Sequence, residues 1–376
     1  MKISHVLAAA TLAVAISGFA GAAKAEKDVV VAVQVPLSGP ISVPRGRIGA
    51  EVARDQINKQ GLLGEGRTLK LLIEDNGGDK TQAISLANQA IVADKVVALV
   101  AGAGSALSVP VAPVANTLKT PVVAVGSSPA IVDAGPWGFC TFFASEEQVD
   151  VTAQLIDRLK VHAIAIIYDR SNDGSVRMKD SLQEQLKKQG VSVVSTDGIA
   201  PSDTNFGPLA TRIAGEKIDA IYIEGAAAVA ANFLIQVRQA GVGPNVRFLG
   251  APQMYSPVLT QIGGKAIEGL YLPASYQIGL ATDLNKEFVK EFRARGNTDP
   301  DIVGAAYYTA VMLIARAVHD AGPNADRQSV RDALDKIRNM PSVLGQGTFS
   351  FDKRRFGVFK NVLVRVEGGK FVPVSD

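Results

Sequence analysis

A chain of 376 residues, 47% hydrophobic and 20% charged, is long enough for two domains with cores of their own. Its 39 Lys and Arg against 36 Asp and Glu leave a net charge of +3, and the basic residues form no cluster suited to a phosphate backbone, which excludes nucleic-acid binding. One cysteine, Cys140, and three histidines exclude a disulfide scaffold and a Cys/His metal centre, and no cofactor is expected.

Residues 1–25 read as a leader. Lys2 precedes an alanine-rich apolar run over residues 6–23, broken by Thr11, Ser17, Gly18 and Gly21 and closed by the small-x-small triplet Ala23-Lys24-Ala25. The run is too weakly apolar for a membrane span, which needs about 20 strongly apolar residues. Cleavage after Ala25 is expected, and no Cys follows to take a lipid. With no later run of that apolar length, the mature chain is expected to be a soluble periplasmic protein.

Residues 28–37 then form a buried strand, since Val29-Val30-Val31-Ala32-Val33 is a continuous, mostly β-branched run stopped by Pro36 and Ser38-Gly39-Pro40. Ile48, Val52, Ala53 and Ile57 recur at helical spacing between Pro44 and Gly61. The cycle repeats as a strand over 69–74, a helix over 79–93, a strand over 96–100, a helix over 105–118 and a strand over 121–125. Alternating helices and near-continuous apolar strands predict α/β structure with a parallel sheet covered on both faces.

After Cys140 the rhythm restarts with helices over 146–159, 174–189, 206–214 and 226–240 and strands over 163–168, 191–197, 220–223 and 247–249. From Thr282 the chain turns mostly helical (284–295, 303–320 and 327–338) before strands near 347–351 and 358–366. The late helices have no strands of their own, so they are expected to finish covering the first sheet. The two lobes are then discontinuous in sequence, with several connections between them.

Catalytic constellations are weak. Gly102-Ala103-Gly104-Ser105-Ala106-Leu107 has Leu107 where a dinucleotide fingerprint needs its third glycine, and Gly263-Gly264-Lys265-Ala266 lacks the hydroxyl of a phosphate loop. No Gly-x-Ser-x-Gly elbow occurs, and only His162 and His319 remain as bases after the leader. Binding chemistry fares better. Ligands of open α/β sheets sit beyond the carboxyl ends of strands, where helix N-termini offer free N–H groups to anions. Two turns on successive strands fit: residues 101–105, including Ala103 and Ser105, with Ser105 able to cap the following helix, and Gly126-Ser127-Ser128-Pro129 with two hydroxyls. Together they predict an anion cradle.

Nearly the whole mature chain resembles the periplasmic substrate-binding proteins of branched-chain amino-acid ABC importers, the type I Leu/Ile/Val-binding class. The resembling stretches are Pro36-Leu37-Ser38-Gly39-Pro40, Gly49-Ala50-Glu51 through Ile57-Asn58 to Gly61 and Gly64, Glu74-Asp75-Asn76 with Gln82-Ala83, Phe248-Leu249-Gly250, Glu268-Gly269-Leu270, residues 305–310, and Gly347-Thr348-Phe349-Ser350-Phe351-Asp352. The resemblance implies two doubly wound parallel-sheet lobes, 26–143 with 276–348 and 144–275 with 349–376. Three crossovers, near 141–147, 270–277 and 349–352, would join them around a hinged cleft. It implies a monomer that captures an amino acid or related small carboxylate and delivers it to the membrane permease subunits of an importer.

Carried over by position, the carboxylate site of that class falls on Ser105, Gly126 and Ser128. The acidic ammonium position falls on Pro252, with Gln253 next, and two aromatic lids fall on Asp173 and Ala226; the loop after Gly39-Pro40 carries Arg45 and Arg47. Glu224 or Asp173 could replace the missing acid. Otherwise the ligand is an aromatic or keto carboxylate or an amide, with Phe142, Phe143 or Tyr255 as apolar wall. A secreted enzyme or a ligand sensor on the same scaffold are the readings from other classes.

Overall fold

The computed structural model describes residues 27–64 and 66–374, and of Lys27 and residues 145–148 only the backbone; the expected leader and its junction lie outside the described residues. The first sheet is built from β1 (Lys27–Val35), β2 (Arg67–Asp75), β3 (Ala98–Ala101), β4 (Val122–Ala124) and β5 (Gly138–Cys140), joined by α1 (Pro44–Gln60), α2 (Lys80–Val92), α3 (Ser105–Thr117) and α4 (Pro129–Asp133). Its order is β2-β1-β3-β4-β5, all parallel, with Val31 facing Leu71 on one side and Ala98 on the other. Every residue of β3, β4 and β5 is buried, as their unbroken small and apolar sequence requires of strands covered on both faces.

The second half contributes α5 (Ser145–Arg158), β6 (Ala163–Asp169), α6 (Asp173–Lys188), β7 (Ser192–Ile199), α7 (Gly207–Ala214), β8 (Ala220–Glu224), α8 (Ala227–Gln239), β9 (Arg247–Gly250), α9 (Pro257–Gly263) and β10 (Tyr271–Ala274). There follow α10 (Asp283–Gly296), α11 (Ile302–Asp320), α12 (Arg327–Asp335), β11 (Met340–Pro341), β12 (Thr348–Phe351), β13 (Gly357–Val358), β14 (Val362–Glu367) and β15 (Lys370–Pro373). The second sheet runs β15-β14-β10-β9-β8-β6-β7, parallel from β7 to β10 and closed at one edge by the antiparallel pair β14 and β15. That antiparallel edge was not visible in the parallel pattern read from the sequence.

The chain passes between the sheets after β5, after β10 and before β14, so the α/β architecture is two doubly wound lobes with three crossovers. The third crossing comes later than residues 349–352. β12 pairs with β13, Phe356 bridges to Cys140 beside the first sheet, and pairing with the second sheet begins only at Val362.

The late helices cover the first sheet, as their lack of strands predicts. α11 lies along α1, where a Cβ on Gly49 would come 2.0 Å from the Gly304 carbonyl oxygen, so the two backbones meet where no side chain fits. The Tyr307 hydroxyl donates to backbone oxygens of Gln34, at 2.8 Å, and Gly102, pinning α11 to β1 and to the turn after β3. By length and composition α11 could cross a membrane, a run that the sequence reading passed over. It is instead a core helix, with Ala305, Ala306, Tyr307, Ala310, Leu313 and Ile314 all fully buried.

Candidate functional site

The carboxyl ends of β3 and β4 meet those of β6, β8 and β9 where the lobes face each other. On the first lobe, the turn after β3 puts the N-cap of α3 at Gly104, and Ser105 is the first helical residue. Ser105 therefore does not cap its own helix. Its buried Oγ accepts instead from the backbone N–H groups of Ser128, at 3.1 Å, and Ser127, at 3.3 Å, which ties the two predicted turns together. Those two amides are consequently engaged within the protein, and it is the Ser105 hydroxyl hydrogen that remains to be donated. Ser128 precedes α4 and is fully buried, yet its Oγ has no hydrogen-bond partner. Gly126 is buried beside them, and Ala103 and Ser127 are half-buried.

On the second lobe, Glu224 ends a strand whose other four residues are apolar or aromatic and completely buried. Only 5% of it is exposed. Its Oε1 accepts from Ser175 Oγ and from Gln253 Nε2, both at 3.1 Å, while Oε2 is occluded and unpartnered. Burial pushes the carboxyl pKa up to about 7 against the opposing hydrogen bonds from Gln253 and Ser175, and the Asp169 carboxylate adds to the rise. Asn172 positions this wall: its side chain caps α6 by accepting from Gly174 N–H at 2.9 Å, which sets Ser175 in the first turn.

The lobes touch here. α3 packs on α6, and a Cβ on Gly174 would stand 2.7 Å from Ser105 Oγ. Contacts therefore run without a break from Ser128 through Ser105 and the Gly174-Ser175 pair to Glu224. A second set of contacts joins the lobes at the start of α11, where Ser256 Oγ donates to Asp301 Oδ2 at 3.3 Å and Ile302 N–H donates to the Tyr255 carbonyl.

The other predicted residues lie as follows. Gln253 is half-buried and belongs to the Glu224 wall. Asp173 and Ala226 are exposed at the starts of α6 and α8. Arg45 is held in the first lobe: Nη2 donates to Thr298 Oγ1 at 2.7 Å, Nε donates to the Asp299 carbonyl at 3.2 Å, and Asp301 lies 3.9 Å away. Arg47 pairs with Glu51 on its own helix. The aromatic residues considered as an apolar wall pack on other rings, Phe142 and Phe143 on Phe359, with the Phe143 and Phe359 ring centres 5.0 Å apart, and Tyr255 stacked on Phe371 at 4.4 Å. His162 and His319 are both exposed. Among the described residues no group of three His, Cys, Asp or Glu is placed to hold a metal ion.

Ser175 escaped the sequence reading, although Asn172-Asp173-Gly174-Ser175 after a strand is a helix-start signature that could have drawn attention to it. Nothing local marked Asp301 or Ser256. Two surface hollows lie elsewhere: one of about 500 Å³ is lined by Ile91, Val96, Leu118 and Arg327, another of about 480 Å³ by Gln183 and Val191.

Chemically, the site sets two hydroxyls at helix starts against a buried carboxylate. That arrangement suits a small molecule with an anionic end and a hydrogen-bonding or cationic end, enclosed between the lobes.

The sequence profile of a family described as "Periplasmic binding protein" matches residues 28–370. A Leu/Ile/Val-binding protein of Rhizobium johnstonii is 26% identical over 340 residues, spanning 89% of this chain and 90% of its own. A leucine-, isoleucine-, valine-, threonine- and alanine-binding protein of Pseudomonas aeruginosa is 27% identical over 329 residues, 86% of each chain. Among solved structures, a leucine-binding protein of Thermotoga maritima superposes with a TM-score of 0.84 at 25% identity, over 92% of this chain and 98% of that one. A solute-binding protein of Rhodopseudomonas palustris in complex with 4-hydroxybenzoate shares the fold, with a TM-score of 0.83 at 20% identity over 93% of this chain and 96% of its own.

Proposed function

The chain belongs to the periplasmic binding protein family, and on that premise we propose that it captures an amino acid or related small carboxylate for an ABC importer. A ligand-binding role follows from family membership; the identity of the ligand and the manner of capture are our reading. The observation that carries it is the pair of buried, unpartnered polar atoms, Ser128 Oγ on one lobe and Glu224 Oε2 on the other, linked by an unbroken run of contacts through Ser105 and Ser175. Of the seven buried side-chain polar atoms without a partner among the described residues, these two are the ones tied into that run of contacts, where a ligand group would complete them. The names of the curated relatives, which specify Leu, Ile and Val, support the ligand class.

In this reading the lobes, 27–143 with 276–358 and 144–275 with 362–374, open about the three crossovers, admit ligand and shut on it. The protein acts as a monomer in the periplasm after loss of its leader and presents the closed form to the permease subunits. Thermal-shift screening of amino acids, 2-oxo acids and aromatic carboxylates, followed by calorimetry and small-angle scattering, tests this. A stabilising carboxylate that binds one-to-one and reduces the radius of gyration is expected. Absence of binding by every carboxylate would refute it.

A further inference from the structure

We propose that the contact of Tyr255 and Ser256 with Asp301 and Ile302 is a pivot, a place where the lobes stay bonded while the cleft opens along its other flank, between α3 and α6. The inference rests on the reading of lobes that open about the crossovers and adds where they turn.

The bonds at this contact join two helix starts, one from each lobe. Ser256 Oγ accepts from Val258 N–H at 3.2 Å at the start of α9 and donates to Asp301 Oδ2 at 3.3 Å. Asp301 in turn caps α11, its Oδ1 accepting from Gly304 N–H at 2.9 Å. The first amide of α11, Ile302 N–H, has no acceptor within its own helix and finds one on the other lobe, the Tyr255 carbonyl at 3.4 Å. All four residues are buried. Parting the lobes here would expose the Tyr255 and Ile302 side chains to water along with both helix starts, a cost that opening elsewhere avoids. The other flank is different: among the described residues no hydrogen bond or ion pair joins α3 to α6, which meet by packing alone.

Position supports the same assignment. The second crossover leaves β10 and the third enters β14, its neighbour in the sheet, and Ser275 on one donates to Asn361 on the other at 3.0 Å. Tyr255 is moored beside them: Ile278 N–H donates to its hydroxyl at 3.4 Å, and its ring centre lies 6.0 Å from that of Tyr276. Ser256 follows β9, the strand next to β10, whereas α6 joins β6 to β7 at the far edge of the sheet. At about 4.8 Å per strand, α6 stands about three to four times farther from β10 than Ser256 does. A rotation about the crossovers therefore swings α6 away from α3 and scarcely shifts Ser256.

The test needs no ligand. In the mature protein with Ser105→Cys and Gly174→Cys, the two Cβ atoms would stand 3.3 Å apart, close to the separation of about 3.5–4.5 Å that a disulfide spans. Oxidation should cross-link α3 to α6 and hold the cleft shut. Reduction should release it, and small-angle scattering should then show a larger radius of gyration. Amide hydrogen exchange followed by NMR should find Ile302 slow in both forms, with rates within about threefold of each other. Adding Ser256→Ala removes the bond between the helix starts, and Ile302 should then exchange at least about tenfold faster in the reduced than in the oxidised form. A loss of packing alone would not create that dependence on the cross-link. Faster Ile302 exchange on reduction with Ser256 in place would overturn the pivot and leave the opening of the lobes standing. No dependence on the cross-link after Ser256→Ala would overturn it as well. If the oxidised and reduced forms scatter alike, or no cross-link forms, the pivot and the opening both fall.

Discussion

Ser105 and Gly174 meet across the cleft with no room for a methyl group between them: a Cβ on Gly174 would lie 2.7 Å from Ser105 Oγ and 3.3 Å from Ser105 Cβ. Gly174 sits in the first turn of α6, where alanine is a better helix former; within its own lobe the added Cβ would meet Asn172 Oδ1 at 3.2 Å, and the sharper conflict, with Ser105, arises when the lobes come together. Gly174→Ala is expected to leave unfolding by urea within about 1 kcal/mol of the parent. Ligand affinity should fall at least about tenfold, and the compaction seen by small-angle scattering on ligand addition should be lost. Undiminished compaction would mean that α3 and α6 do not limit closure.

The two serines of the cradle should separate stability from binding. Ser105→Ala leaves two backbone N–H groups without their acceptor and is expected to lower stability by about 1–3 kcal/mol. Ser128→Ala removes a hydroxyl that satisfies nothing in the protein, so stability should hold or rise slightly. The lost hydrogen bond to a charged ligand, about 1.5–3 kcal/mol, should weaken Kd by roughly 10- to 150-fold. Denaturant titration and calorimetry read the two effects independently, and a Ser128→Ala variant with full affinity would remove that residue from the site.

Stability of the unliganded protein should fall as pH rises from about 4.5 to 7. Glu74 and Glu224 both have carboxyl pKa values raised from 4.5 to about 7, Glu74 by burial and by Asp94 against the Gln34 hydrogen bond, Glu224 by burial foremost. Between those limits the folded chain holds protons that the unfolded chain has released, so each added pH step favours unfolding until both groups ionise in the fold. Glu224, the more deeply enclosed, accounts for on the order of 3 kcal/mol at full ionisation, and Glu74, more screened by solvent, for less. Comparing urea midpoints at pH 5 and pH 8, Glu74→Gln and Glu224→Gln should each show a smaller decline than the parent. An equal decline in both variants would contradict the assignment.

Intact-mass measurement on protein recovered from the periplasm should find Glu26 as the first residue, because the apolar run over residues 6–23 and Ala23-Lys24-Ala25 fit a cleaved leader. Recovery of full-length chain from the cytoplasm alone would refute export.

Much of the first lobe was legible because its strands are unbroken apolar runs set between helices with clear starts and stops, as at Pro44 and Gly61 of α1. Three-residue β5 and five-residue α4 were missed. Elements that short are specified by neighbours, Val122–Ala124 pairing with Gly138–Cys140, rather than by any period of their own. Ser105 and Ser128 could be singled out because a turn at a strand's carboxyl end has a fixed place in such a sheet. The direction of the Ser105 hydroxyl could not, since it depends on a turn more than twenty residues away. Arg45 read as a ligand-binding cation for the same reason: its partners, Thr298 and Asp299, come from the far end of the chain.

The packing of α11 against α1, β3 and β4 has a consequence for biosynthesis. A chain emerging N-terminus first exposes β1 through β5 while one face of their sheet still lacks its cover, and that cover arrives only after residue 302. The nascent first lobe therefore stays an incomplete intermediate until most of the polypeptide has emerged, since its stabilising contacts are between segments far apart in sequence. On the proposed export route, in which the chain is threaded through a channel before it folds, such late completion would keep it in a threadable state.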